Sequence, residues 1–163
     1  MNVKCTQITG PNFFRKIEMA VSQTFYKLYG RWVVKDLSAD SYKIAGSGED
    51  EVAGWVEDAN ETATVAGEER MMNDSLDAEF TMPYYDGSTN VLTEAILKII
   101  KEKLCDIYCA SSSYQQADCS AIFEDEAGND ATDGVLRITG GDVANNVVYV
   151  KRVAASAVVN SVA

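Results

Sequence analysis

Apolar runs along this chain are short, and glycine, asparagine or proline interrupts most of them. Arg31-Trp32-Val33-Val34-Lys35 and Glu51-Val52-Ala53-Gly54-Trp55-Val56 are rich in residues that suit a pleated, half-buried surface, so both predict strands. Between them, the polar stretch from Ser38 to Asp50, with Gly46 and Gly48, predicts a turn around Tyr42-Lys43-Ile44. Thr62-Ala63-Thr64-Val65 and Phe80-Thr81-Met82 read as further strands, the second stopped by Pro83. Cys105 to Ala110, Ser120 to Phe123, Gly134 to Thr139 and Asn146 to Val153 complete the series. Gly140-Gly141 and Asn145-Asn146 punctuate the last two as hairpin-turn residues. One segment has a different period. Between Thr93 and Lys103, Ile96, Ile99, Ile100 and Lys103 recur at i, i+3, i+4 and i+7, with Glu94 and Lys98 on the wet side. That spacing predicts a helix.

Many short strands and a single helix over residues 93–103 predict a mainly β protein, a small β-barrel or sandwich rather than a βαβ fold. The strands occupy residues 21–153. Residues 154–163 lack charge, aromatic side chains and periodicity, and are expected to form a loosely held tail. Residues 1–20 contain a Gly10-Pro11 break and are expected to form an N-terminal arm, with the first strand of the domain as the alternative. In that segment Phe13, Phe14 and Ile17, followed by Val21, fit either a helical stripe or the anchors of an extended arm.

The length of 163 residues suits one domain with room for such an arm, and it can bury a core without a disulfide or metal. Hydrophobic residues make up 47% and charged residues 24%, a globular composition. With 14 basic and 25 acidic residues the net charge is −11, which sets the surface against phosphate backbones and anionic lipid. The charge is segregated. Residues 1–35 carry +5, residues 36–136 carry −18 and residues 137–163 carry +2. A basic leading segment on an acidic body predicts an arm that docks on something acidic, which could be a second copy of this chain.

There are no histidines, which removes the commonest general base and zinc ligand. Cys5, Cys105, Cys109 and Cys119 form no Cys-x-x-Cys pair and match no zinc spacing; they read as reduced, partly buried thiols of a protein made in the cytoplasm. No apolar stretch approaches the ~20 residues of a membrane span, and the opening residues do not resemble a secretory signal. The acidic stretch from Glu124 to Asp133 invites calcium, but no EF-hand register fits and a solvated loop is expected there. Asp74, Asp77 and Glu79 have no spacing that sets two carboxylates across a cleft. Gly46-Ser47-Gly48 and Gly140-Gly141-Asp142 lack the ending of a phosphate loop. Trp32, Trp55, Tyr84 and Tyr85 read as core and interface anchors rather than as a stacking platform, because little positive charge lies near them in sequence.

The order of segments resembles the head decoration proteins of tailed bacterial and archaeal viruses, also called capsid cement or head-stabilising proteins. It runs from Val21-Ser22-Gln23-Thr24-Phe25 and Arg31-Trp32-Val33-Val34 through Tyr42-Lys43-Ile44-Ala45, Val52-Ala53-Gly54-Trp55-Val56 and the Thr62 to Glu68 step. It continues with Met82-Pro83, Leu104-Cys105-Asp106-Ile107-Tyr108 and Gln115-Gln116-Ala117-Asp118, and closes on Asp142-Val143 and Asn146-Val147-Val148-Tyr149-Val150. The regular helix at 93–103 and the basic segment at 1–20 depart from the family's pattern. The resemblance implies a virion structural protein without catalytic residues, made in the host cytoplasm and bound to the capsid exterior. Its partners would be the major capsid protein and itself, as small homo-oligomers, often trimers. On this reading Phe13, Phe14, Arg15, Lys16, Trp32 and Trp55 are the candidate interface residues. No catalytic, cofactor-binding or metal-binding residue is assigned, and neither nucleic acid nor membrane is expected as a partner. Two other classes fit the residues less well: a small-barrel module binding protein or single-stranded nucleic acid, and an enzyme using carboxylate or cysteine chemistry.

Overall fold

The computed structural model describes residues 6–10, 13–20, 23–25, 30–36, 38, 40–46, 52–56, 63–65, 68–103, 106–109, 115–120, 136–154 and 157. The acidic stretch from Glu124 to Asp133, with Cys5 and Cys105, lies outside them. In chain order the elements are β1 (Thr6–Thr9), β2 (Phe14–Glu18), β3 (Gln23–Phe25), β4 (Arg31–Asp36), β5 (Ser41–Ile44), β6 (Gly54–Val56) and β7 (Ala63–Val65). They continue with β8 (Glu69–Asn73), β9 (Glu79–Tyr85), α1 (Glu94–Lys103), β10 (Tyr108–Cys109), β11 (Ala117–Asp118), β12 (Leu136–Asp142) and β13 (Val147–Arg152).

Two main sheets pack face to face, so of the two architectures expected the chain takes the sandwich. The first runs β10-β11-β9-β13-β12, with β1 also paired to β9; the second runs β2-β8-β6-β4-β5; β3 and β7 form a separate pair. The strands pair antiparallel except for β11 with β9, and the isolated Met19–Tyr42 bridge is parallel as well. Each main sheet curls until its borders touch at a single bridge, Ile107 with Leu136 in the first and Met19 with Tyr42 in the second, without closing into a barrel.

Period-two alternation decides what each face does. From the second sheet Trp32, Val34 and Trp55 point at Phe80, Met82, Tyr84, Leu136, Val148 and Val150 of the first, and this is the main core. Trp32 meets Trp55 and Phe80 edge-on, with centroids 5.3 and 4.9 Å apart, and its indole N–H points at Met82 Sδ at 3.2 Å. Such edge-to-face pairs add about 0.5–1.5 kcal/mol each beyond the area they bury. The alternate residues Ile17, Val33, Val56 and Met72, with Met19, line the concave side of the curled second sheet as a smaller cluster.

Several sequence expectations change in the fold. Thr93 is the cap of α1 and not its first residue: its hydroxyl accepts the Ile96 N–H at 3.2 Å. The helix buries Ile100 and packs Ile96 and Leu97 on the core, whereas Ile99, expected on the apolar stripe, is exposed. Tyr42-Lys43-Ile44 is strand β5 and not a turn, and β9 runs on through Pro83 to Tyr85. Gly140 and Gly141 lie inside β12, beside a register irregularity, and the turn is Val143 to Asn146, where Asn146 takes φ 55°. At the tail, the Ala157 carbonyl accepts from Arg137 at 2.8 Å.

The leading segment is the largest departure. Thr6–Thr9 pairs with β9 in the first sheet and Phe14–Glu18 pairs with β8 in the second, so described residues of the expected arm are built into both. The chain crosses between sheets at Gly10, whose φ of +94° and 2.5 Å approach of its Cβ position to Ala78 Cα admit only glycine.

Tyr84 is wholly buried, and its hydroxyl has no hydrogen-bond partner among the described residues. Burial, and then the Asp86 carboxylate, hold its phenol far above the ordinary tyrosine range. An unfolded tyrosine ionises near pH 10, so this group leaves stability intact below that pH and withdraws it as pH rises further. Tyr84→Phe is therefore expected to change neutral-pH stability by less than about 1 kcal/mol. It is also expected to soften the loss of stability above about pH 10, read by urea unfolding at pH 7 and pH 11. A wild-type alkaline limb in the variant would remove Tyr84 as its source.

Candidate functional site

Where β1 leaves the first sheet and β2 borders the second, the sandwich is open. A groove of about 420 Å³ is lined there by Gln7, Phe14, Lys16, Trp55, Glu69, Arg70, Met71, Asn73 and Phe80. Its origin is the register of β2 on β8: Phe14 lies opposite Asn73 and Lys16 opposite Met71, on the face that carries Trp55. Farther along that face the first sheet covers it. Here it does not, so Phe14 is 56% exposed and Met71 51% exposed beside a floor of buried Trp55 and Phe80. Phe13, 58% exposed, and Ile8 and Leu76 are exposed apolar residues outside the groove lining.

Several polar groups around the groove pair with one another, although the buried Arg70 Nε has no hydrogen-bond partner among the described residues. Asn73 Nδ2 donates to Gln7 Oε1 at 2.9 Å, and Asn73 Oδ1 accepts the Ser75 N–H at 3.1 Å. Gln7 Nε2 donates to the Gly10 carbonyl at 3.0 Å, and the Asp74 N–H donates to the Phe13 carbonyl at 3.1 Å. The charges pair as well: Arg15 with Asp74 at 3.1 Å, Lys16 with Glu69 at 2.7 Å and Arg70 with Glu68 at 2.8 Å. The acidic surface met by Arg15 and Lys16 is therefore part of this chain's own body. Exposed pairs of this kind contribute about 0–1 kcal/mol each, so they set register more than stability.

The six residues expected at an interface divide accordingly. Phe14 and Lys16 line the groove, whereas Phe13 and Arg15 are exposed at the alternate positions of the segment. Trp55 reaches the groove only as floor, and Trp32 is core. Sequence reasoning missed Gln7, Glu69, Met71 and Asn73. Glu69-Arg70-Met71-Met72-Asn73 shows no clean alternation, and nothing in it distinguishes the exposed Met71 from the buried Met72.

The other groups with candidate chemistry are dispersed. Asp74 is tied to Arg15, Glu79 accepts the Thr139 hydroxyl, and Asp77 is exposed. Tyr85 donates to the Gly87 carbonyl at 2.7 Å. Asp86 is opposed by burial, yet N–H donors from Thr89 and Ser88 and the Ser88 hydroxyl hold its carboxyl below the ordinary range. Cys119 is buried, with Sγ 3.6 Å from the Ala117 carbonyl. Among the described residues no three cysteine or carboxylate side chains converge to hold a metal, and no helix is long and apolar enough to cross a membrane. What the open border offers is apolar surface, paired charge and an exposed strand edge. No family model matches this chain, and neither a curated protein nor a solved structure is similar to it.

Proposed function

We propose that this chain is a virion structural protein that binds the outer surface of an assembled capsid and stabilises contacts between capsomers. The observation that carries the reading is the open border of the sandwich, where Phe14 and Met71 stand exposed over the buried Trp55 and Phe80. Contiguous exposed apolar surface with a polar rim is the ordinary mark of a protein-docking face. Burying Phe14 and Met71 on a partner would contribute about 1.5–3 kcal/mol each before ordering costs. Contacts of that strength suffice on a shell, where many copies of the site raise the effective concentration. The resemblance in segment order adds the class of partner, the major capsid protein, and the expectation that the protein docks as a small homo-oligomer.

The test is co-sedimentation with heads assembled from the major capsid protein encoded by the same genome. Wild-type protein is expected in the pellet with the heads at micromolar concentration, and a Phe14→Ser, Met71→Ser variant in the supernatant. Wild-type protein that stays in the supernatant sinks the proposal. A variant that still pellets moves the docking face away from this border.

A further inference from the structure

We propose that Met71 makes the groove sensitive to peroxide. Oxidation of its thioether to the sulfoxide turns the groove wall polar and releases an apolar partner while the fold stands. The inference concerns regulation of the docking face and rests on that reading, but its first tests need no capsid.

The described residues include Met19, Met71, Met72 and Met82, and the fold sets one of these apart from the other three. Met71 and Met72 are neighbours in β8, so the pleat turns them to opposite faces. Met72, 1% exposed, and Met19, 0% exposed, belong to the smaller apolar cluster. Met82 is fully buried in the main core, with its Sδ facing the Trp32 indole N–H. Met71 alone is exposed, to 51%, and it forms groove wall with Phe14 above the Trp55 and Phe80 floor. Oxidation of a thioether follows the access of its sulfur to the oxidant. The residue that gives the groove its apolar wall is therefore also the one that peroxide reaches first.

The oxidant is hydrogen peroxide. A lone pair on Met71 Sδ attacks one peroxide oxygen, the S–O bond forms and the O–O bond breaks. The departing hydroxide takes the proton of the transferred oxygen and leaves as water. Sulfur gives up two electrons and peroxide gains them, so no further reactant is needed. The product carries a strong acceptor where the side chain had none. Lys16 lies directly opposite Met71 in the β2–β8 register, and its ammonium has three N–H groups. Glu69 holds that ammonium at 2.7 Å, and a second N–H serves the sulfoxide oxygen. No buried contact is lost, so the fold persists. A methionine sulfoxide reductase returns the thioether and with it the apolar wall.

The full chain is treated with millimolar hydrogen peroxide and then with dithiothreitol, which reverses thiol oxidation and leaves the sulfoxide. Fragment mass spectrometry should find oxygen on Met71 about tenfold sooner than on Met19, Met72 or Met82. The urea unfolding midpoint should not move. Retention on a phenyl chromatography matrix should fall, and treatment with the reductase should restore it. Met71→Leu, compared with its own untreated form, should show no such change. With assembled heads, peroxide-treated protein should leave the pellet and reductase-treated protein should return to it. Equal oxidation of the buried methionines, a lowered midpoint, unchanged retention or an equal loss in Met71→Leu overturns the proposal. Oxidised protein that pellets as before overturns it too. Untreated protein missing from the pellet sinks the capsid reading instead, and the phenyl matrix then decides the peroxide response by itself.

Discussion

Arg137→Ala is expected to cost about 3–5 kcal/mol of unfolding free energy, among the largest losses available to one polar side chain here. Asp106 is wholly buried, and Arg137 grips both of its oxygens, Nε to Oδ1 at 2.8 Å and Nη2 to Oδ2 at 3.1 Å. The same Nη2 reaches the Ala157 carbonyl at 2.8 Å. The pair sits where the borders of the first sheet meet, because Ile107 and Leu136, which bridge them, are the chain neighbours of Asp106 and Arg137. Removing the guanidinium takes the bidentate partner from a carboxylate that water cannot reach. Asp106→Ala should cost less, because the Arg137 side chain is 42% exposed and finds solvent. Replacing both with apolar residues of similar volume should recover part of the loss, since a buried pair roughly balances its own desolvation. Urea unfolding of the two single variants and the double variant checks the order. An Arg137→Ala loss below about 1 kcal/mol, the range of an exposed pair, would mean that Asp106 is hydrated in solution.

Gln115→Leu is expected to cost about 2–5 kcal/mol, because it takes the amide partner from two buried backbone groups, the Trp32 N–H and the Ala45 carbonyl, while the Trp32 carbonyl keeps the Ala45 N–H. Gln115 is buried and uses its amide as a strand would. Its Oε1 accepts the Trp32 N–H at 2.6 Å, and its Nε2 donates to the carbonyls of Trp32 at 3.1 Å and Ala45 at 2.7 Å. It thereby fastens β11, two residues downstream, to β4 and β5 of the opposite sheet. Leucine fills the space but leaves the Trp32 N–H buried without that acceptor. Gln115→Glu separates the two roles: it keeps an acceptor for Trp32 but turns a carboxylate toward two carbonyls, so it should be no milder than leucine. Near-UV circular dichroism is the second readout, because Trp32 touches both Trp55 and Phe80 and reports any loosening. Unchanged midpoint and spectrum in Gln115→Leu would show that the amide is not a clamp between the sheets.

The sequence by itself determined the class of fold and the place of its helix. Trp32, Val33, Val34, Trp55 and Val56 call for strands whatever surrounds them, and the isoleucine spacing after Thr93 admits only a helix. It did not determine which face of a strand would be covered. Val33 and Trp32 are equally apolar, yet one lines the concave side of a curled sheet and the other the seam between two sheets. Ile99 fits the helical stripe by spacing, yet the core takes Leu97, because the apposition of α1 to β12 sets the buried arc and Leu97 faces Gly141 there. The basic residues near the start were legible as charge but not as partners. Arg15 and Lys16 meet Asp74 and Glu69 because β8, more than fifty residues downstream, comes to lie beside β2. The candidate site depends on that same long-range pairing. Period and composition record what each residue prefers over a few neighbours, whereas the open border at Phe14 and Met71 arises where the first sheet stops short of the second. The reach of one sheet over another is a property of the whole packed chain, and only the tertiary structure decides it.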